Sequence, residues 1–330
     1  MTPLLSVRDL RVSFPITRRG SWPWTPPQQL HAVNGVSFDL MAGHVLGIVG
    51  ESGCGKSTLA RALIQMLPAK GEVIWQGQTD LLSLSPREML KYRSDIQMVF
   101  QDPLAALNPR MTVGEIIAEP LRTHRPEMGA EARREKVREV MARVGLLPNQ
   151  INRYPHEFSG GQCQRIGIAR ALVVEPKLLI CDEPVSALDV SIQAQVINLL
   201  DDLRRDLGLT VVFIAHDLSV VKHISDQVMV LYLGRMMEHA EARALFAEPR
   251  HPYSQALLSA VPVPDPKTQR TKQVIGLEGE LPSPLNPPSG CPFRTRCPRA
   301  EDLCAQSRPE PQGDGHQVAC HFPGVLQPIE

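Results

Sequence analysis

The sequence predicts an α/β chain organised around a parallel sheet, and three patterns carry that prediction. From Val45 onward, short apolar runs alternate with stretches of helical periodicity. One run, Val45-Leu46-Gly47-Ile48-Val49, leads straight into a glycine-rich loop and then a helical pattern starting near Thr58. Another, Leu178-Leu179-Ile180-Cys181, closes on the adjacent carboxylates Asp182 and Glu183.

Before that core, residues 4–14 and 31–40 alternate apolar and polar, as half-buried antiparallel strands do. Residues 17–27 lie between them, rich in Pro and holding Trp22 and Trp24, and read as an exposed loop. Residues 103–157 break the strand–helix rhythm. They are helical over 113–119 and 130–144, densely charged and without a strand signal, which suits either a solvated helical cap or a docking surface. Beyond Arg250 the composition changes, with 14 of the 30 prolines. A helical pattern over 253–260 gives way to a linker over 261–272 and then a Pro-rich, Cys-bearing tail. That tail is too short to bury a sizeable core, so something else should hold it.

The 330 residues allow one large domain and an appendage. Thirty-five Lys and Arg balance 35 Asp and Glu, so no basic field for nucleic acid or anionic lipid is built in. No apolar run approaches the ~18 residues that cross a bilayer. The start, Met1-Thr2-Pro3-Leu4-Leu5-Ser6-Val7-Arg8-Asp9, lacks the basic and apolar regions of a secretory signal. A cytosolic chain is expected, and its seven cysteines are not expected to form a disulfide framework.

Gly50-Glu51-Ser52-Gly53-Cys54-Gly55-Lys56-Ser57-Thr58 fits G-x-x-x-x-G-K-[ST] in the strand–loop–helix setting that motif requires. Gly50, Ser52, Gly53, Gly55 and Thr58 line a loop whose N–H groups wrap phosphates. Lys56 reaches the β/γ oxygens and the Ser57 hydroxyl ligates Mg²⁺. Cys54 reads as structural. Asp182 suits Mg²⁺ through water, and Glu183 suits the general base that polarises an attacking water. Neighbours on a strand point to opposite faces, but at the C-terminal end of a parallel strand both reach a ligand in the crevice. Gln101 follows the apolar run 96–100, placed to sense Mg²⁺ and the lytic water. Ser186-Ala187-Leu188-Asp189 and His216 fall in order behind the acids.

A second glycine turn, Phe158-Ser159-Gly160-Gly161-Gln162, opens a helix running through Arg165, Ala169 and Ala171. A helix N-terminus suits an anion. With a phosphate site already upstream, this one points to a nucleotide held by another copy or a partner.

In the tail, Cys291, Cys297, Cys304 and Cys320 are spaced C-x5-C-x6-C-x15-C. That differs from the paired C-x2-C of zinc ribbons and suits an iron–sulfur cluster at least as well. A metal would staple a segment that lacks a core; free buried thiols are the alternative.

Taken together, these motifs resemble the ATP-binding subunits of ABC transporters. Walker A is 50–57, the Q-loop Gln101, the signature 158–162, Walker B 178–182 followed by Glu183, the D-loop 186–189 and the switch His216. More narrowly, the chain resembles the F-type ATPase of dipeptide/oligopeptide importers. Phe100-Gln101-Asp102-Pro103, Leu107-Asn108-Pro109-Arg110, Arg153-Tyr154-Pro155-His156, His251-Pro252-Tyr253 and Glu280-Leu281-Pro282-Ser283-Pro284-Leu285-Asn286-Pro287-Pro288 carry that likeness. The resemblance implies a P-loop NTPase ABC cassette over 1–250, with a RecA-like parallel core, an antiparallel β subdomain and a helical subdomain about 103–170. An importer-type extension follows over 251–330.

It further implies ATP and Mg²⁺ as cofactors, with Phe14 stacking on adenine unless it is simply a core residue of its strand. Ser159, Gly160, Gly161, Gln162 and Asp189 would contact the nucleotide across a head-to-tail pair. Some such relatives carry a [4Fe–4S] cluster in this tail, here at Cys291, Cys297, Cys304 and Cys320 in a structural role, with zinc as the alternative metal. Two positions depart from the pattern. Phe158 stands where relatives carry Leu, and Cys163 where they carry Arg or Lys, which takes a positive charge from beside the partner's phosphates. The implied partners are a second ABC ATPase of D type, two membrane permease subunits that the helical subdomain docks on, and a periplasmic or extracellular peptide-binding protein. The implied place is the cytoplasmic face of the bacterial inner membrane. A soluble ABC ATPase acting on nucleic acid or the ribosome is the rival, disfavoured by the short, heptad-free gap between Q-loop and signature, by the single cassette and by the zero net charge. A redox sensor built on the tail is a third reading. Cargo (dipeptide, oligopeptide, glutathione or nickel) is not written in this chain.

Overall fold

A computed structural model describes residues 2–17, 22, 24, 26–262, 270, 274–277 and 279–326. The chain divides into two units, one of Met1–Asp39, Leu46–Leu82 and His216–Glu330, the other of Leu40–Val45 and Ser83–Ala215.

The first unit begins with β1 (Leu5–Ile16), β2 (Gln28–Leu40), β3 (Val45–Val49), α1 (Lys56–Leu63), β4 (Lys70–Trp75) and β5 (Thr79–Asp80). Four of the strands form a sheet in the order β2-β1-β4-β5. β1 runs antiparallel to β4 with Val7 opposite Val73, and the register slips between Arg8 and Arg11. There Asp9 turns to φ +47°. One extra residue flips which side chains face inward, so burial passes from Leu5 and Val7 to Leu10 and Val12. In the insertion after β1, Trp22 and Trp24 stand exposed with rings stacked 5.1 Å apart; residues 18–21, 23 and 25 lie outside the described set.

The second unit holds α2 (Pro86–Tyr92), β6 (Ile96–Val99), α3 (Val113–His124), α4 (Ala130–Arg143), α5 (Gly160–Leu172), β7 (Leu178–Asp182), α6 (Val190–Leu207) and β8 (Thr210–Ile214). Its strands run parallel in the order β8-β7-β6, with Ile180 between Met98 and Val212. Every residue of β7 is buried, which is why it reads as an unbroken apolar run. α3 is longer than the sequence predicts. It starts on a capping box in which Thr112 and Glu115 satisfy each other's N–H, and it continues through the buried Pro120 to His124. Val113, Ile116, Ile117 and Leu121 line its buried side, and α4 and α5 pack against it. That burial outweighs the one backbone hydrogen bond Pro120 removes.

The chain then returns to the first unit with α7 (Leu218–Ile224), β9 (Gln227–Tyr232), β10 (Arg235–Glu241), α8 (Ala242–Ala247), α9 (Pro252–Ser259), α10 (Asp302–Gln306) and β11 (His316–Val318). Here the order is β11-β10-β9-β3, with β3 parallel to β9 and the others antiparallel. Much of the predicted linker, residues 263–269, 271 and 272, lies outside the described set.

The tail, expected to need something besides a core of its own, is held by the first unit. Phe293 is fully buried against Tyr232, Tyr253 and His251, at ring distances of 5.3, 5.2 and 5.7 Å. β11 extends the sheet, and the buried Glu238 carboxylate accepts from the backbone of Arg250 (2.7 Å) and His251 (3.0 Å) while bonding His316 Nε2 at 2.7 Å. The tail shares the first unit's core instead of building one. Among the described residues no helix is long and apolar enough to cross a membrane.

Candidate nucleotide site

The phosphate loop belongs to the first unit and leaves β3 at Gly50. A Cβ on Gly50 would lie 2.2 Å from the Leu231 carbonyl oxygen, so the loop can pass β9 only as glycine. Gly55, at φ +104°, is the N-cap of α1, and a Cβ there would strike the Ala32 carbonyl at 2.1 Å. Between them Cys54 is buried, which raises its thiol pKa. Lys56 is only 4% exposed and folds back over the loop, donating to the carbonyls of Gly50 (2.8 Å) and Glu51 (3.2 Å). Ser57 and Thr58 follow on the first turn of α1, half-buried, while Ser52 and Gly53 are exposed. Phe14 lies half-buried on β1, and His216 is exposed in the same unit.

The carboxylates belong to the second unit. Asp182 ends β7 fully buried, and Glu183 turns at once to φ +46°, a conformation costly for a non-glycine residue. The strand's alternation therefore stops at Asp182. The turn is pinned by the Glu183 N–H on Ile214 O at 3.0 Å and the Ser186 hydroxyl on Glu183 O at 3.1 Å. Gln101 donates its amide N–H to Glu183 Oε2 at 3.0 Å. The amide oxygen of Gln101 and the carboxylate of Asp182, both in this unit, are oxygen donors of the kind a hard cation such as Mg²⁺ takes. Asp189, exposed, caps α6 through its backbone.

In the same unit Ser159 is the N-cap of α5, and its hydroxyl accepts the Gln162 N–H at 3.4 Å while the Gln162 side chain accepts the Ser159 N–H at 3.0 Å. Ser159 and Gly160 are exposed at the helix start. Cys163 is fully buried, its thiol against the carbonyls of Pro155 (3.4 Å) and Phe158 (3.9 Å).

Among the described residues no three His, Cys, Asp or Glu side chains come together as a single metal ion requires. The four tail cysteines nonetheless lie near enough to feel one another. Burial, helped by neighbouring thiols, pushes Cys291 and Cys320 up to about 11, and burial likewise raises Cys297.

Sequence reasoning missed Glu51. Its carboxylate meets Arg296 Nη1 at 3.0 and 2.9 Å, and its N–H donates to Tyr253 Oη at 3.0 Å. The motif leaves position 51 open, and the partners lie some two hundred residues downstream; only the His251-Pro252-Tyr253 motif hinted at one of them.

The ABC transporter family model matches residues 33–186, and the model of the oligopeptide/dipeptide transporter C-terminal region matches 237–304. Two solved structures share the cassette. One, cbiO1 from Clostridium perfringens, part of the ABC transporter complex cbiONQ, is 27% identical over 75% of this chain and 92% of that one, TM-score 0.63. The other, the dimeric ATP-binding cassette MJ0796 in a post-hydrolysis state bound to ADP and Pi, is 28% identical over 72% and 99%, TM-score 0.64. Fold and motifs thus define an ABC-type ATPase. The oligopeptide transport ATP-binding protein OppF of Salmonella typhimurium is 61% identical over 96% of this chain and 95% of that protein. AppF of Bacillus subtilis, also an oligopeptide transport ATP-binding protein, is 54% identical over 97% of each. The chain belongs to this family of ABC-transporter ATP-binding proteins.

Proposed function

We propose that this chain is the ATP-hydrolysing subunit that energises import of di- or oligopeptides. The observation that carries the reading is the 61% identity to OppF across nearly the whole chain, cassette and C-terminal region alike. In this reading residues 1–250 form the cassette, the helical subdomain about 103–170 docks on two permease subunits, and 251–330 form the extension. A D-type ATPase paralogue completes the motor, and a peptide-binding protein delivers cargo. The chain works at the cytoplasmic face of the bacterial plasma membrane.

Lys56 and the loop N–H groups hold the triphosphate, with Phe14 against the adenine. The N-terminus of α5, at Ser159–Gln162, and Asp189 serve the nucleotide held by the opposite ATPase. Glu183 takes the proton of the attacking water, Gln101 fixes that carboxylate, and His216 reads the γ-phosphate. Ser57, Gln101 and Asp182 would hold Mg²⁺, which when bound neutralises charge on the β/γ oxygens. Catalysis then needs only positioning and charge stabilisation.

For the tail, a [4Fe–4S] cluster at Cys291, Cys297, Cys304 and Cys320 rests on the cysteine spacing and the family resemblance. Iron and sulfide analysis of anaerobically purified protein decides it. A preparation free of both leaves four free thiols, Cys291 and Cys304 buried and Cys297 and Cys320 half-buried.

In the complete transporter, Glu183→Gln keeps ATP binding and lowers hydrolysis by ~10²-fold, the scale of general-base assistance. Uptake of a radiolabelled tripeptide falls with it. Parental hydrolysis in the variant removes Glu183 from its role, and an intact transporter that takes up no peptide removes the cargo assignment.

A further inference from the structure

Glu51 is an odd residue to find in a loop that gathers an anion. It sits one position after Gly50, and its carboxylate adds negative charge beside the place where phosphates bind. In the structure that charge is answered from the C-terminal region. Arg296, one residue before Cys297, places Nη1 at 3.0 and 2.9 Å from the two carboxylate oxygens, with side-chain exposures of 10% for Arg296 and 25% for Glu51.

The backbone of Glu51 is held as well. Its N–H donates to the hydroxyl of Tyr253, a fully buried residue of α9. Its carbonyl accepts from Lys56 Nζ at 3.2 Å and from the Cys54 N–H at 3.2 Å. Donor, acceptor and carboxylate are all engaged, two of the three by residues more than two hundred positions away in the chain. All of these residues lie in the first unit.

We propose that Arg296 and Tyr253 are positioning residues for the nucleotide loop, holding Glu51 and cancelling its charge so that the loop meets the triphosphate already shaped. The proposal rests on reading residues 50–58 as the phosphate loop. A loop ordered before its ligand arrives spends less binding energy on ordering, and a neutralised carboxylate does not repel phosphate. The tail thereby acts on ATP affinity and leaves the chemical step alone.

The test measures ATP affinity by calorimetry and the KM and kcat of hydrolysis, on the full chain within the transporter. Arg296→Ala raises the Kd for ATP about 5- to 30-fold, the scale of one close charge pair near a surface, with kcat at saturating ATP within about twofold of the parent. Both ion-pair contacts come from one nitrogen, so Arg296→Lys restores most of the affinity. Glu51→Gln binds ATP as well as the parent or better, and added to Arg296→Ala it recovers the lost affinity. Tyr253→Phe, which deletes only the hydroxyl, weakens ATP about 2- to 5-fold, as loss of one hydrogen bond does. Should Arg296→Ala fail to fold, Arg296→Lys, Glu51→Gln and Tyr253→Phe carry the test. Parental affinity in Arg296→Ala, or no recovery in the double variant, overturns the proposal. Lys56→Ala separates the two readings. If it binds ATP normally the phosphate-loop assignment itself falls; if it loses ATP while the Arg296 and Tyr253 variants do not, only the positioning role falls.

Discussion

His251 shows what a single buried ring does to the protein's pH response. It is the N-cap of α9, its Nδ1 accepting the Tyr253 N–H at 3.0 Å, and burial pushes its pKa down to about 3. An unfolded His titrates near ~6.5, so between those values the unfolded chain takes up a proton that the native chain refuses. Stability from this group is complete above the unfolded value and is lost as pH falls below it. Going from pH 7.5 to 5.5 should cost about 1.4 kcal/mol. Urea titrations at the two pH values measure the loss. In His251→Asn, which keeps a capping acceptor, the difference should shrink by that amount; if it persists in full, another group is responsible. What was legible at this scale is placement: Lys56 folds over its loop and Asp182 closes β7, as their immediate neighbours suggest. The burial of Cys163 was not legible, because a motif counts positions along the chain, whereas the helix decides which of them face inward.

At the scale of elements, α5 carries two reasons for its glycines, and only one shows in the sequence. Ser159 and Gln162 spell a capping box, and free N–H groups at the helix start suit an anion. The second reason is packing. A Cβ on Gly161 would lie 2.4 Å from Ile192 Cγ2 on α6. Gly161→Ala therefore overpacks the second unit, at a cost of about 1–3 kcal/mol. A thermal double-mutant cycle tests the contact. In an Ile192→Ala background the same substitution should cost much less, and an equal cost in both backgrounds removes Ile192 as the cause. The parallel strands were legible because full burial writes an unbroken apolar run, as in β7. The length of α3 was not. Proline is a local stop signal, and only the buried row of Ile116, Ile117 and Leu121 shows why the helix passes Pro120.

At the scale of the whole molecule, the first unit is assembled from three separated stretches of chain, the last of them running from His216 to the C-terminus. No local pattern announces such an assembly, and composition alone sets the Pro-rich tail apart as an appendage. Its contacts are those of a core. Glu238 is fully buried, and its carboxylate depends on the N–H of His251 and on His316; remove both and a buried charge loses most of its partners. Phe293 and Tyr253 cover Tyr232, and β11 covers the edge of β10. A chain ended after Arg250 should therefore not survive as a trimmed but folded cassette. Its first unit should unfold at much lower temperature or denaturant, or reach only the insoluble fraction. Phe293→Ala is the gentler probe, with an expected loss of about 3–5 kcal/mol in urea unfolding. If the truncated chain unfolds cooperatively within a few degrees of the full one, the tail is an appendage after all, and Glu238 must find its partners elsewhere.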